Sequence, residues 1–156
     1  MRIRLIVVGQ RLPPWVQAGC EEYMKRLPRE WNFELVAVKA ANRPGNTPAG
    51  TAMQAEARAI ADAVLPGMRR VALDERGQQS TSAKLAERLA LWQRDGRDVA
   101  LIIGGADGLA PEIRQSADEA LSLSQMTLPH GLARLVLLEQ LYRASSLLKG
   151  HPYHRE

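Results

Sequence analysis

The chain is poor in the residues that staple or stack a protein. It has one cysteine, Cys20, in 156 residues, so no disulfide can form within it and nothing calls for an oxidising compartment. Cys20 sits among Gly19, Glu21 and Glu22 with no basic neighbour to activate it, and is expected to pack. Aromatic residues make up 4%, too few for a platform on which successive bases stack. No stretch approaches the roughly 18 consecutive apolar residues of a membrane span. The opening Met1–Gly9 is too short in apolar length for a signal peptide and meets Pro13-Pro14-Trp15 without a small-residue cleavage site. A cytoplasmic protein with no membrane partner is expected. The zinc-protease pattern H-E-x-x-H and the phosphate-binding G-K-[ST] are both absent. His151 and His154 have no cysteine or acidic cluster to complete a tetrahedral set, so no metal is expected.

What is present fits one domain, spanning 1–156, since domains average roughly 150 residues. Apolar residues make up 46% and charged residues 24%, an ordinary globular balance. The net charge of +4 is uneven: residues 1–50 hold eight Lys and Arg against four Asp and Glu, and residues 101–156 five against six. A pI of 9.6 fits a nucleic-acid partner without requiring one.

Apolar runs alternate with helical patterns along the chain. Strands are expected at Arg2–Val8, Phe33–Lys39, Arg70–Leu73, Val99–Ile103 and Ala120–Ser124. Helices are expected from Pro13-Pro14 to Leu27, from Thr51 as N-cap to Leu65, from Ser80 or Ser82 to Gly96, briefly after Pro111, and over Gly131–Lys149. Asn42–Gly50 and Asp74–Gln79 read as loops, and the tail Gly150–Glu156 has no periodicity. Strands that are wholly apolar rather than alternating predict an α/β fold, a mostly parallel sheet with helices on both faces. Ligands of such sheets bind outside the carboxyl ends of the strands. That directs attention to Leu73-Asp74-Glu75, to Gly104-Gly105-Ala106-Asp107-Gly108, and to Leu123 through His130.

Each of these segments has two readings. Gly104, Gly105 and Gly108 are equally a bare turn and a loop that lets a ligand approach the backbone. The dinucleotide fingerprint G-x-G-x-x-G is missing. Leu123, Met126 and Leu128, interleaved with Ser124, Gln125 and Thr127, suit a flat heteroaromatic ring held by apolar walls and backbone groups. They equally suit a plain strand-to-helix connection. His130 reads as a helix cap or as a catalytic group. Tyr153 and Arg155 could meet an anionic substrate or dock the tail.

Four segments taken in order are distinctive: Leu101-Ile102-Ile103-Gly104-Gly105-Ala106-Asp107-Gly108-Leu109, Leu121-Ser122-Leu123-Ser124-Gln125-Met126-Thr127-Leu128-Pro129-His130, Leu138-Glu139-Gln140-Leu141-Tyr142-Arg143-Ala144, and His151-Pro152-Tyr153-His154-Arg155-Glu156. Together they resemble the RlmH-type ribosomal RNA methyltransferases of the SPOUT class, over the whole chain. The resemblance implies a C-terminal deep trefoil knot, a rare exception to unthreaded chain topology. It implies S-adenosylmethionine as methyl donor, with no metal, and a homodimer. It implies methylation of N3 of a pseudouridine, position 1915 of 23S ribosomal RNA, in the large ribosomal subunit. The donor would be held by Leu73, Gly104, Gly105, Leu123, Ser124, Gln125, Met126, Thr127 and Leu128. Tyr153, His154 and Arg155 would be catalytic in a pocket shared by the dimer, and Arg143 would bind substrate. With no appended RNA-binding domain and modest charge, the assembled ribosome is the expected substrate. Two other classes compete: a knotted ribosome-binding factor without activity, which predicts damaged donor loops, and a small-molecule nucleotide-binding domain, which predicts a phosphate fingerprint.

Overall fold

A computed structural model describes residues 1–9, 11–41 and 49–154, with residues 49 and 154 described by backbone alone. Five strands form one sheet: β1 (Ile3–Val8), β2 (Glu34–Val38), β3 (Arg69–Gln79), β4 (Val99–Ile103) and β5 (Glu119–Ser122). Five helices accompany them: α1 (Pro14–Arg26), α2 (Ala49–Ala63), α3 (Ser82–Asp95), α4 (Pro111–Ser116) and α5 (His130–Lys149). The strand order is β2-β1-β4-β3-β5, and every pairing is parallel. The register sets Leu5 beside both Leu35 and Leu101, and Val71 beside Leu101.

The apolar strands divide their side chains between two cores. Ile3, Leu5, Val7, Val71, Leu101 and Ile103 join α1, α3 and α5 on one face. Ile6, Val8, Ala72, Ala100 and Ile102 join α2 and α4 on the other. This is the period of two along a strand, and it explains why the runs are apolar at every position: both faces are covered. The expected helices on both faces are present, and Cys20 is a buried member of the first core.

Several local expectations are corrected. Thr51 lies inside α2 rather than capping it, because the helix begins at Ala49. The cap of α3 is Thr81, between the two serines that were expected, and its hydroxyl accepts from Lys84 N–H at 3.1 Å. Asp74–Gln79 is not a loop but part of β3. Leu73 and Gln78 both pair with Leu121, so the strand bulges out over residues 74–77 and returns to β5. Gly77 permits the return, since a Cβ there would lie 2.7 Å from Ala120 C and Leu121 N. Leu148, expected in the apolar face of α5, is exposed. The tail turns once more as a 3-10 helix at Pro152–His154. Arg155 and most of the expected loop Asn42–Gly50 lie outside the described residues. Among the described residues no helix is long and apolar enough to cross a membrane.

Candidate active site

Parallel pairing points the carboxyl ends of β3, β4 and β5 to one edge of the sheet. There they surround a cavity of about 840 Å³, within the range of cofactor pockets. Leu73 from β3, Gly104 and Gly105 after β4, and Leu123, Ser124, Met126, Thr127 and Leu128 after β5 all line it. Segments far apart in sequence, from Leu73 to Leu128, therefore share one wall. Gln125 does not line the cavity; its side-chain amide donates to Gln79 Oε1 at 3.0 Å, tying the loop to the end of β3.

Both loops are built for close backbone approach. Gly108 has φ +80°, a conformation that favours glycine. Its N–H donates to Gly105 O at 3.0 Å, closing the turn. A Cβ on Gly104 would stand 2.6 Å from Gly108 C, so no side chain fits at 104. A Cβ on Gly105 would meet Glu56 Oε1 at 2.8 Å. In the second loop Ser122 Oγ donates to Ser124 O at 3.0 Å, and Ser124 Oγ accepts from Met126 N–H at 2.9 Å. These serine contacts shape the turn and leave Met126 78% exposed at its tip.

In and behind the walls stand polar groups whose contacts the sequence did not reveal. Asp74 accepts from Arg76 N–H at 2.8 Å and stands 3.8 Å from Arg114 Nε. Glu56 is 6% exposed on α2 and accepts from Ala41 N–H at 3.1 Å. Nothing in the local pattern around Glu56 marks it, because its role comes from packing behind Gly105. His130 neither caps α5, whose N-cap is Pro129, nor points to solvent. Its Nδ1 lies 2.8 Å from Gly104 O, and its Nε2 lies 3.1 Å from Arg134 Nη2. The i, i+4 spacing of His130 and Arg134 on a buried helix face was the available signal.

Of the tail, Tyr153 lies elsewhere on the chain. Tyr153 is not among the residues that line the cavity; it packs on α5 and α1. Its phenol donates to Glu139 Oε1 at 3.1 Å, so the 2.9 Å contact with Tyr23 is donated by Tyr23. Glu139 Oε1 also receives two bonds from Arg143, at 2.9 and 2.6 Å. The Arg143 guanidinium lies 5.1 Å from the Tyr153 ring centre, and the Tyr142 and Tyr153 rings are 4.5 Å apart. Burial, then the Tyr23 bond and the Glu139 charge, push the Tyr153 phenol well above its ordinary pKa. It stays protonated at neutral pH and can donate a hydrogen bond but cannot accept a proton.

The cavity suits an S-adenosyl donor by its own features. Leu73, Leu123 and Leu128 give apolar walls, and a Cβ on Gly108 would meet nothing within 4 Å, so the backbone of the glycine loop lies open there. The comparisons with known proteins agree. The family described as "Predicted SPOUT methyltransferase" matches residues 1–154. A protein of Methylibium petroleiphilum named ribosomal RNA large subunit methyltransferase H is 54% identical over 156 residues, all of both chains. One of the same name from Dechloromonas aromatica is 53% identical over all of this chain and 99% of its own. Among solved structures, a methylase family protein from Haemophilus influenzae matches with a TM-score of 0.55 at 12% identity, over 99% of this chain and 70% of that one. Another from Neisseria gonorrhoeae matches at 0.53 and 13%, over 90% and 81%; at such identity the two support the fold alone. The chain belongs to the SPOUT methyltransferases and, within them, to the group of proteins named ribosomal RNA large subunit methyltransferase H.

Proposed function

We propose that the protein transfers a methyl group from S-adenosylmethionine to large-subunit ribosomal RNA, at N3 of a pseudouridine, position 1915 of 23S RNA. The observation that carries the reading is the meeting of three separate strand ends at one cavity with intact glycine and leucine loops. The names of relatives more than half identical over their whole length give the RNA substrate class. Leu73, Leu123 and Leu128 would enclose the adenine, and backbone groups of Gly104 and of Ser124 to Met126 would bond its edge and the ribose. When bound, the donor supplies an electrophilic methyl on a sulfonium, which needs alignment rather than a metal.

N3 of pseudouridine is an imide nitrogen that must lose its proton to become nucleophilic. A base must take it or a cation must stabilise the anion left behind. Tyr153, held protonated, would serve as a hydrogen-bond donor to the acceptor base by turning its single O–H from Glu139 to the substrate. Arg143 and Arg155 supply positive charge, and His154 is the candidate base. Because Tyr153 does not line the cavity of its own chain, the reading includes a homodimer in which one copy's tail serves the other's donor cavity. It also includes a C-terminal trefoil knot and a preference for the assembled ribosome.

The test is transfer of labelled methyl from S-adenosylmethionine to ribosomes lacking the modification, followed by identification of the labelled nucleotide. Label on N3 of that pseudouridine supports the reading. Donor binding with no transfer moves the substrate elsewhere, and equal transfer to protein-free RNA removes the ribosome requirement. Absence of both binding and transfer overturns the enzyme.

A further inference from the structure

Arg134 is 5% exposed on α5, and its Nε has no hydrogen-bond partner. Among the described residues no carboxylate pairs with it. A buried guanidinium without a counter-charge is expensive, so what it contacts is informative. Its Nη2 lies 3.1 Å from Nε2 of His130, whose Nδ1 lies 2.8 Å from Gly104 O in the wall of the cavity.

The direction of these bonds follows from chemistry. A guanidinium has no lone pair to offer, so Arg134 donates and His130 Nε2 accepts. A neutral imidazole then carries its proton on Nδ1 and gives it to the Gly104 carbonyl. A protonated ring would set an Nε2–H against the Arg134 N–H and place two cations side by side in a half-buried site. The charged and titratable groups facing this pair come from three helices. They are Arg134 on α5 itself, Glu56 on α2, and on α1 Cys20, which faces Arg134 and whose thiol burial holds protonated. Burial most strongly lowers the His130 pKa and Arg134 lowers it further; the Gly104 bond and Glu56 oppose this, and the net shift is downward.

We propose that Arg134 is a positioning residue for the methyl donor: it locks His130 as the neutral, Nδ1-protonated ring whose N–H fixes the Gly104 carbonyl. The proposal rests on the reading of the cavity as the donor site. A locked neutral ring keeps an imidazolium away from a cationic sulfonium and holds a cavity residue that tolerates no Cβ. Removing Arg134 would free the ring both to flip its tautomer and to titrate.

Two measurements on the full chain test this. Nuclear magnetic resonance of ¹⁵N-histidine-labelled protein reads the tautomer with no donor present, the His130 signals being assigned by their loss in His130→Asn. The wild-type ring should stay protonated at Nδ1 and bare at Nε2 throughout the neutral range, whereas in Arg134→Met it should titrate at a higher pH than in the wild type, burial still holding it below the ordinary value. Calorimetric titration with S-adenosylmethionine reads the consequence as the ratio of variant to wild-type Kd, which cancels the donor's own titration. For Arg134→Met that ratio should be about five- to tenfold at pH 8, as for one lost hydrogen bond. It should grow about tenfold more one unit below the freed pKa. His130→Asn keeps an N–H near the Nδ1 position and should bind within about twofold of wild type, whereas His130→Ala should lose the five- to tenfold without added pH dependence. A wild-type ring protonated at Nε2, or titrating near 6.5, overturns the proposal even if Arg134→Met fails to fold. An Arg134→Met ratio that is flat with pH overturns it while leaving the donor site intact. Absence of donor binding in the wild type overturns the donor-site reading and the proposal together, and the locked tautomer would then stand as a structural feature only.

Discussion

Gly104 shows how much a single hydrogen in place of a methyl can decide. A Cβ there would stand 2.6 Å from Gly108 C and 2.8 Å from Leu109 N, both backbone, so neither neighbour can yield cheaply. Gly104→Ala should cost about 1–3 kcal/mol of stability, the usual range for overpacking. It should also weaken donor binding more than Gly105→Ala, whose clash is with the movable carboxylate of Glu56. Thermal unfolding and calorimetry of the two variants check both parts. Tyr153 makes a different case. Tyr153→Phe keeps the ring tilted against Tyr142 but loses the bond to Glu139 and leaves Tyr23 without its acceptor, at a cost of about 0.5–1.5 kcal/mol per bond. Because the phenol's pKa is raised, it stays protonated throughout neutral pH. The variant should therefore lower kcat by the same factor across that range, without moving either limb of the pH–rate profile. A limb that disappears with the hydroxyl would mean that Tyr153 titrates during turnover. At this scale the sequence picked out candidates whose chemistry shows in the residue itself, and of these Gly104 and Gly105 line the cavity while Tyr153 does not. The sequence missed Arg134 and Glu56, whose importance is a matter of what lies behind them.

Elements were legible wherever one force dominated. Every residue of β4, Val99–Ile103, is buried, and a run with no polar position can only be a strand or helix covered all round. The second half of β3 was illegible for the opposite reason: Asp74, Glu75, Arg76 and Gln78 have no strand pattern, and only the return pairing of Gln78 and Gln79 with Leu121 and Ser122 defines it. That excursion brings Asp74 to the cavity wall, so the feature least visible in the sequence helps build the site. The start of α3 shows a milder ambiguity. Ser80, Thr81 and Ser82 are chemically equivalent caps, and geometry alone selects Thr81, at φ −82° and ψ 162° with its hydroxyl on Lys84 N–H. Thr81→Ala should cost about 1 kcal/mol, while Ser80→Ala should cost little. Ser82→Ala acts through another contact, the bond from Ser82 Oγ to Gln140 of α5. A denaturant series on the three variants separates them, and an equal loss at Ser80 and Thr81 would mean that the cap shifts between neighbours.

At the scale of the whole molecule the two groups of residues proposed for methyl transfer, as far as they are described, do not line one cavity. The residues proposed to hold the donor gather at the carboxyl ends of β3, β4 and β5, whereas Tyr153, Glu139 and Arg143 form their own cluster against α1. No composition or periodicity could reveal this, because it concerns where distant surfaces lie rather than what any segment prefers. In the proposed homodimer each active site takes its cavity from one copy and its tail from the other, and mixing experiments make that arrangement measurable. Gly104→Ala damages the cavity and leaves the tail intact; Tyr153→Phe does the reverse. Chains refolded together from equal amounts form mixed dimers in about half of all pairings, as random two-fold association requires. If sites are built across the dimer, one of the two sites in each mixed dimer combines an intact cavity with an intact tail. Activity should then rise above the mean of the two parents, towards about a quarter of wild type when both are inactive. If each site is built within one chain, every site in a mixed dimer carries one damaged part, and mixing restores nothing. Native mass spectrometry of the same samples, which tells the three pairings apart by mass, shows whether mixed pairs formed, so that a lack of rescue is read only where they are present.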